Sequence, residues 1–323
     1  MPAALGLKST EAARPIPGTV SVVVPVYFNE GSLLELFGAL QAVEGQLSEL
    51  GMALELIFVD DGSGDASLQC LLEIKRQRPA TKVVKLTRNF GAVQASKTGF
   101  RFVTGDCFLI LAADLQDPPE LIIAAARRWL AGAKYVLCAR SGRRDSLVSR
   151  TFAALYYRLL RWVVVPGYPA GGYDLALMDK QLLPFLRDSA KNINTPLFAY
   201  WLGFQPETIH YSRQRRRHGR SRWSFGRRVK FFLDSLLGFS IVPIRAISAL
   251  GLLTAAVSMI YGVSVAANAL LGRGSVPGFP TLVALLTFLL GLVLLTLGVI
   301  GEYIWRILDE VSRKPETVID AIY

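Results

Sequence analysis

Leu54-Glu55-Leu56-Ile57-Phe58-Val59-Asp60-Asp61-Gly62-Ser63-Gly64-Asp65 reads as a strand that runs into two adjacent acids and a turn. A short apolar run bounded by Gly, Ser and Asp is the pattern of a buried strand. Two aspartates at its carboxyl end serve no packing purpose, because Asp is seldom buried without a partner. On either side the pattern repeats. Val20–Val26 is a β-branched run, Lys82–Leu86 a third strand and Cys107–Ala112 a fourth. Helical periodicity fills the gaps at Leu33–Leu50, Ala66–Arg78, Gly91–Val103 and Glu120–Ala131. Strands alternating with amphipathic helices predict an α/β domain with a mostly parallel sheet, over residues 20–210. Such sheets bind ligands beyond the carboxyl ends of their strands.

Polar residues gather at those ends. Tyr27, Asn29 and Glu30 follow the first strand, and Arg88-Asn89-Phe90-Gly91 the third. Asp114, Gln116 and Asp117 follow the fourth. Any one of these sets could be only a turn or a helix cap; four on one sheet edge argue for a site. Carboxylate and carboxamide oxygens after one strand suit Mg²⁺ or Mn²⁺, which in turn suits a diphosphate. Asp60 and Asp61 can accept hydrogen bonds from a base and a ribose. The glycine-rich dinucleotide and P-loop signatures are missing. A nucleotide held by acids and a metal points to a nucleotide-sugar.

Composition narrows the class further. The 323 residues carry 36 Lys+Arg against 25 Asp+Glu, a net charge of +11, and 52% are apolar. That apolar content excludes a disordered chain. Three cysteines, Cys70, Cys107 and Cys138, make no disulfide framework and read as reduced thiols. The apolar excess is local: neither Ala246–Gly272 nor Gly274–Gly301 contains a charge. Each run exceeds the roughly 20 residues that cross a bilayer. They predict a transmembrane hairpin, with helices at 244–272 and 281–306 and a loop at 273–280. The loop holds only Arg273, whereas Arg213–Lys230 is densely basic and free of acids. Basic flanks stay cytoplasmic, so both termini and the α/β domain are expected there, the loop outside. Met1–Thr19 lacks an apolar core and reads as a mobile tail rather than a signal peptide. Residues 211–243 form a basic juxtamembrane segment and 307–323 a cytoplasmic tail in this division.

Val24-Pro25-Val26-Tyr27 with Asn29-Glu30, Val59-Asp60-Asp61-Gly62-Ser63 with Asp65, Arg88-Asn89-Phe90-Gly91 and Asp114-Leu115-Gln116-Asp117-Pro118-Pro119 resemble glycosyltransferase family 2. With Gly171-Gly172-Tyr173-Asp174 and two C-terminal spans, the likeness narrows to its polyprenyl-phosphate branch, over roughly 20–310. That branch is similar to dolichol-phosphate mannose synthases and bacterial undecaprenyl-phosphate glycosyltransferases. The resemblance implies a GT-A fold in a bacterial cytoplasmic membrane. It implies a nucleotide pocket lined by Pro25, Tyr27, Glu30, Asp60, Asp61 and Asn89, and a metal at Asp114 and Gln116. The family commonly has Asp-x-Asp at the metal strand; here Ala112 stands at the first position, so one carboxylate is lost. Asp174 is the implied catalytic carboxylate; the bland alternative is a cap for a helix over Leu175–Leu186. Arg140 and Arg150 resemble arginines facing the acceptor phosphate or the sugar diphosphate.

The basic stretch supports a lipid acceptor independently, because Trp223, Phe225, Phe231 and Phe232 lie among its arginines. It could enforce topology, attract anionic lipid, or bind the acceptor phosphate through Arg215, Arg217, Arg220 or Arg222; nucleic acid does not suit a stretch that leads into a membrane span. The expected reaction is inverting transfer of one sugar from a nucleotide-sugar, UDP-linked by resemblance, to polyprenyl phosphate. Two rivals remain. A processive polysaccharide synthase needs a channel, which two spans enclose only as a homo-oligomer. A membrane scaffold that binds nucleotide-sugar without turnover has Ala112 as its sole support.

Overall fold

The structure, a computed structural model, describes residues 18–140, 158, 161, 173–190, 195–212, 242–271, 278–312 and 314–323. Its centre is an α/β unit. The chain runs β1 (Thr19–Val26), α1 (Leu33–Glu49), β2 (Ala53–Asp60), α2 (Ser67–Gln77), β3 (Lys82–Leu86), α3 (Ala92–Phe100), β4 (Cys107–Ile110) and α4 (Leu121–Leu130). These match the sequence expectation closely, except that β4 stops before Leu111. Then come β5 (Tyr135–Arg140), β6 (Tyr173–Asp179), α5 (Leu183–Arg187), α6 (Thr195–Trp201) and β7 (Glu207–Tyr211). Two long helices, α7 (Val242–Leu270) and α8 (Phe279–Val311), precede a last strand, β8 (Ile319–Ile322).

All eight strands form one mixed sheet in the order β7-β5-β6-β4-β1-β2-β3-β8. β4, β1, β2 and β3 are mutually parallel, as is β7 on β5. β6 runs antiparallel to β4 and β5, and β8 antiparallel to β3. After β3 the chain crosses back to place β4 on the other side of β1. That reversal opens a crevice at the carboxyl ends of β1 and β4. Pro25 marks it. Val23 turns its carbonyl to Leu111 of the β4 side, so Pro25, two residues on, turns its nitrogen the same way. The β1–β4 pairing ends at Val23, and a proline there removes no ladder bond.

The alternation of side chains along β1 separates two cores. Val20, Val22, Val24 and Val26 pack with Leu36, Leu40, Leu71, Ile122 and Trp129, so α1, α2 and α4 cover one face. Val23 packs with Ile57, Val84, Phe100, Leu186 and Ala199, so α3, α5 and α6 cover the other. Burying each such side chain is worth about 1.5–3 kcal/mol. With both faces covered, the central strands are largely apolar, which is why their sequences read as runs and not as alternation.

Residues 175–179 are strand; a 3-10 turn follows at Lys180–Leu182, and the next α-helix begins at Leu183. The helix-cap reading of Asp174 is thereby overturned: Leu175 and Leu177 are needed by the core beside β4. α7 and α8 are long and apolar enough to cross a membrane, and among the described residues none in either apolar stretch is buried. At 29 and 33 residues and about 1.5 Å per residue, both exceed a hydrocarbon core of roughly 30 Å.

Candidate active site

The two aspartates that end β2 are both buried. Asp61 extends the ladder, its N–H donating to the Val26 carbonyl at 2.8 Å. Its carboxylate accepts from the Phe90 N–H at 2.7 Å and the Gly91 N–H at 2.9 Å. Asp61 thus holds the loop after β3 against the end of β2. Asp60 Oδ1 accepts from the Ser63 N–H at 3.2 Å, while Oδ2 is buried and has no hydrogen-bond partner among the described residues. Burial pushes the pKa of both aspartates up, and their hydrogen bonds only partly oppose it. A carboxylate oxygen left in this state favours a ligand that brings a donor.

Gly62 makes the turn after the two aspartates possible. Its φ of +69° belongs to the left-handed region, and a Cβ there would lie 2.6 Å from the Arg88 carbonyl carbon. The guanidinium of Arg88 in turn sits 4.2 Å from the Phe90 ring centroid.

The loop after β1 is laced to the loop after β2. Asn29 Oδ1 accepts from the Tyr27 N–H at 2.9 Å, Ser63 Oγ from the Phe28 N–H at 3.1 Å, and Ser67 Oγ from the Asn29 N–H at 2.9 Å. Glu30 Oε2 accepts from the Ala66 N–H at 2.8 Å, beside the first turn of α2, where the helix dipole favours an anion. Glu30 therefore supports the loop that carries Asp60 and Asp61.

Beyond β4, Asp114 Oδ1 accepts from the Gln116 N–H at 3.2 Å. Between them Leu115 takes a φ of +57°, strained for a side chain with a Cβ. The loop is pinned on both sides. Ser32 Oγ donates to the Ala113 carbonyl at 2.6 Å, and the Tyr211 hydroxyl donates to buried Asp117 at 2.6 Å. Asp114 and Gln116 offer one carboxylate and one carboxamide oxygen, and no group of three or more His, Cys, Asp or Glu that could hold a metal occurs among the described residues. Hard oxygen donors of this number fit Mg²⁺ or Mn²⁺ when substrate and water complete the shell.

Topology adds residues that the first four strands do not supply. The antiparallel pairing of Leu109 with Leu177 brings the start of β6, Tyr173-Asp174, to the edge where β4 ends. Ala139 pairs with Tyr173, and Arg140 with Tyr211. The carboxyl ends of β5 and β7 therefore share that edge. Pro25, Tyr27, Glu30, Asp60, Asp61, Asn89, Asp114, Gln116, Arg140 and Asp174 are brought to one side of the sheet. Arg150, Arg215, Arg217, Arg220 and Arg222 lie outside the described residues.

Residues 21–184 match the family described as Glycosyl transferase family 2. The chain belongs to glycosyltransferase family 2. The glycosyltransferase YkcC of Bacillus subtilis (strain 168) is 32% identical over 305 residues, 94% of each chain. The SfII prophage-derived bactoprenol glucosyl transferase of Shigella flexneri is 31% identical over 303 residues, 93% of this chain and 97% of its own. Among solved structures, the mannosyltransferase PcManGT from Pyrobaculum calidifontis is 18% identical, covering 93% of this chain and 89% of its own, with a TM-score of 0.48. In this glycosyltransferase the mixed sheet and its polar edge constitute the GT-A catalytic domain.

One interaction at this edge escaped the sequence reading, Tyr211 with Asp117; at the opposite edge, beside the start of β4, so did the bond from the Trp129 indole to Asp179 at 2.9 Å. The only sequence signal was a Tyr or Trp whose polar tip would need a partner once buried.

Proposed function

We propose that the enzyme transfers one sugar from a nucleotide-sugar, UDP-linked, to polyprenyl phosphate at the cytoplasmic face of a bacterial membrane. One observation carries this reading. The chain leaves the catalytic domain from β7 towards α7 and returns from α8 into β8, and both crossings occur at the polar edge. β7 ends there at Tyr211 beside Arg140, and β8 starts there, with Ile319 opposite Leu86 at the end of β3. In this reading the edge from which the chain leaves for α7 and to which it returns from α8 faces the bilayer, where a lipid phosphate resides. Homology over almost the whole chain to a bactoprenol glucosyl transferase supports that acceptor.

In this reading Asp60 takes a donor from the nucleoside through its unpaired oxygen, and Asp61 keeps the Phe90–Gly91 wall in place. Asp114 and Gln116 would hold a divalent cation, whose charge neutralises the departing diphosphate. A phosphate monoester with a second pKa near 6 is mostly dianionic at neutral pH. One of its oxygens attacks the anomeric carbon as the bond to the nucleoside diphosphate breaks, and the anomeric centre inverts. The nucleophile needs no general base, so Asp174 orients the acceptor or assists as an auxiliary base, and positioning supplies most of the rate. Arg140, Arg150 and the arginines at 215, 217, 220 and 222 draw in the phosphate.

Purified enzyme with UDP-sugar and undecaprenyl phosphate should form a glycosyl phospholipid in Mg²⁺ or Mn²⁺. Asp114→Ala should reduce this to background without loss of fold. Full turnover in excess chelator, or in Asp114→Ala, would overturn the metal assignment.

A further inference from the structure

Lys97 lies in the last turn of α3, and its side chain is only 3% exposed. A buried ammonium is costly unless each of its three N–H groups finds an acceptor. All three do. Nζ donates to the Ser189 carbonyl at 2.7 Å, the Ala190 carbonyl at 3.3 Å and Glu316 Oε1 at 2.8 Å. The first two acceptors follow α5; the third belongs to the segment that follows α8. Beside it the hydroxyls of Thr98 and Thr317 share a buried hydrogen bond of 2.6 Å. The chain then enters β8. The Val318 carbonyl accepts from the Thr87 N–H at 3.0 Å, the Tyr323 N–H donates to the Val83 carbonyl at 2.8 Å, and Lys85 pairs with Asp320 at 2.6 Å.

Only residues 312–315 separate α8 from the first of these contacts. A tail with no further task would not bury a charge pair and a threonine pair against a helix that also shapes the donor pocket. Gly91, immediately before α3, bonds Asp61; Lys97 and Thr98, near its end, bond the tail. One helix thus joins the pocket wall to the exit of the second apolar helix.

We infer that residues 316–323 are a clasp that fixes the donor half of the catalytic domain to α8, and that Lys97 is a positioning residue for transfer to a membrane-held acceptor. The inference rests on the proposed function. Its physical basis is orientation. The lipid phosphate stays at the bilayer surface, so a donor pocket free to tilt on its tether loses the near-attack geometry that supplies much of the rate. A small acceptor that diffuses into the pocket has no such requirement.

The test compares two acceptors on the full-length enzyme in vesicles: undecaprenyl phosphate in the bilayer and a water-soluble short-chain prenyl phosphate. Glu316→Ala combined with Thr317→Val opens the clasp from the tail; Lys97→Met opens it from α3. If Lys97→Met does not fold, the tail variant still decides. The expected result is a fall of about tenfold in kcat/KM for the bilayer acceptor, or about 1.4 kcal/mol. The soluble acceptor and the donor KM should change less than twofold, and amide exchange at Thr87 and Tyr323 should accelerate. An equal loss with both acceptors shows a merely structural role and overturns the inference. So does unchanged bilayer turnover with the two amides deprotected, and so does slow exchange at both amides in the variants. A parent enzyme inactive on both acceptors would count against the functional reading, with exchange at Thr87 and Tyr323 still deciding whether the clasp exists.

Discussion

Burial raises the pKa of Asp60, so its ionised form is disfavoured in the folded state. A carboxyl whose folded pKa lies above its unfolded value stabilises below the unfolded pKa, and that contribution is lost as pH rises through the folded one. At neutral pH the charge of Asp60 is therefore a cost, retained for the ligand. Asp60→Asn should melt higher than the parent at neutral pH, and the difference should shrink towards roughly pH 4. Donor binding should weaken in the same variant. Thermal melts across that range, with donor titrations, check both. Gly62→Ala should lose roughly 1–3 kcal/mol of stability or more, because the left-handed backbone and the Arg88 backbone both exclude a Cβ. Chemical denaturation reads that loss. Neither effect concerns the reacting atoms, yet both decide whether Asp60 and Asp61 can present themselves to a nucleotide.

At the scale of elements, the loop from Asp114 to Asp117 depends on β7. Tyr211→Phe removes the donor to a buried carboxylate, which should destabilise the domain by about 1–3 kcal/mol and lower kcat more than the donor KM. Asp117→Asn keeps an acceptor oxygen and should lose less on both counts. Melting curves alongside steady-state kinetics separate these outcomes. β7 also shows where sequence reading falls short. β1 to β4 are legible because each carries a core of apolar residues that reach both faces and is followed by polar residues. Glu207-Thr208-Ile209-His210-Tyr211 is an edge strand, largely exposed, whose alternation rests on Ile209 and Tyr211 alone, too short to stand out. β8 pairs with β3 across most of the chain length, and nothing local in Ile319–Ile322 announces that partner. The candidate site follows the same division. Its residues on the loops after β1 to β4 stood out as acids and amides where a core needs none. The bonds that hold those loops, from Asp61 to Phe90 and Gly91 and from Tyr211 to Asp117, depend on non-local packing and were invisible.

For the whole molecule, transfer to a lipid acceptor requires the polar edge, the cytoplasm and the lipid phosphate to coincide. Topology can be read directly: a cysteine at Ser275 should react with an impermeant reagent from outside the cytoplasm, and one at Arg217 should not. Reversed labelling would put the catalytic domain on the wrong side for a cytosolic nucleotide-sugar. The most direct measurement is the intact mass of the lipid extracted after the purified enzyme meets undecaprenyl phosphate and a panel of nucleotide-sugars. The account predicts one donor, UDP-linked, that adds the mass of a single sugar residue to the lipid phosphate. A ladder of added sugars, or lipid unchanged with every donor, would contradict it.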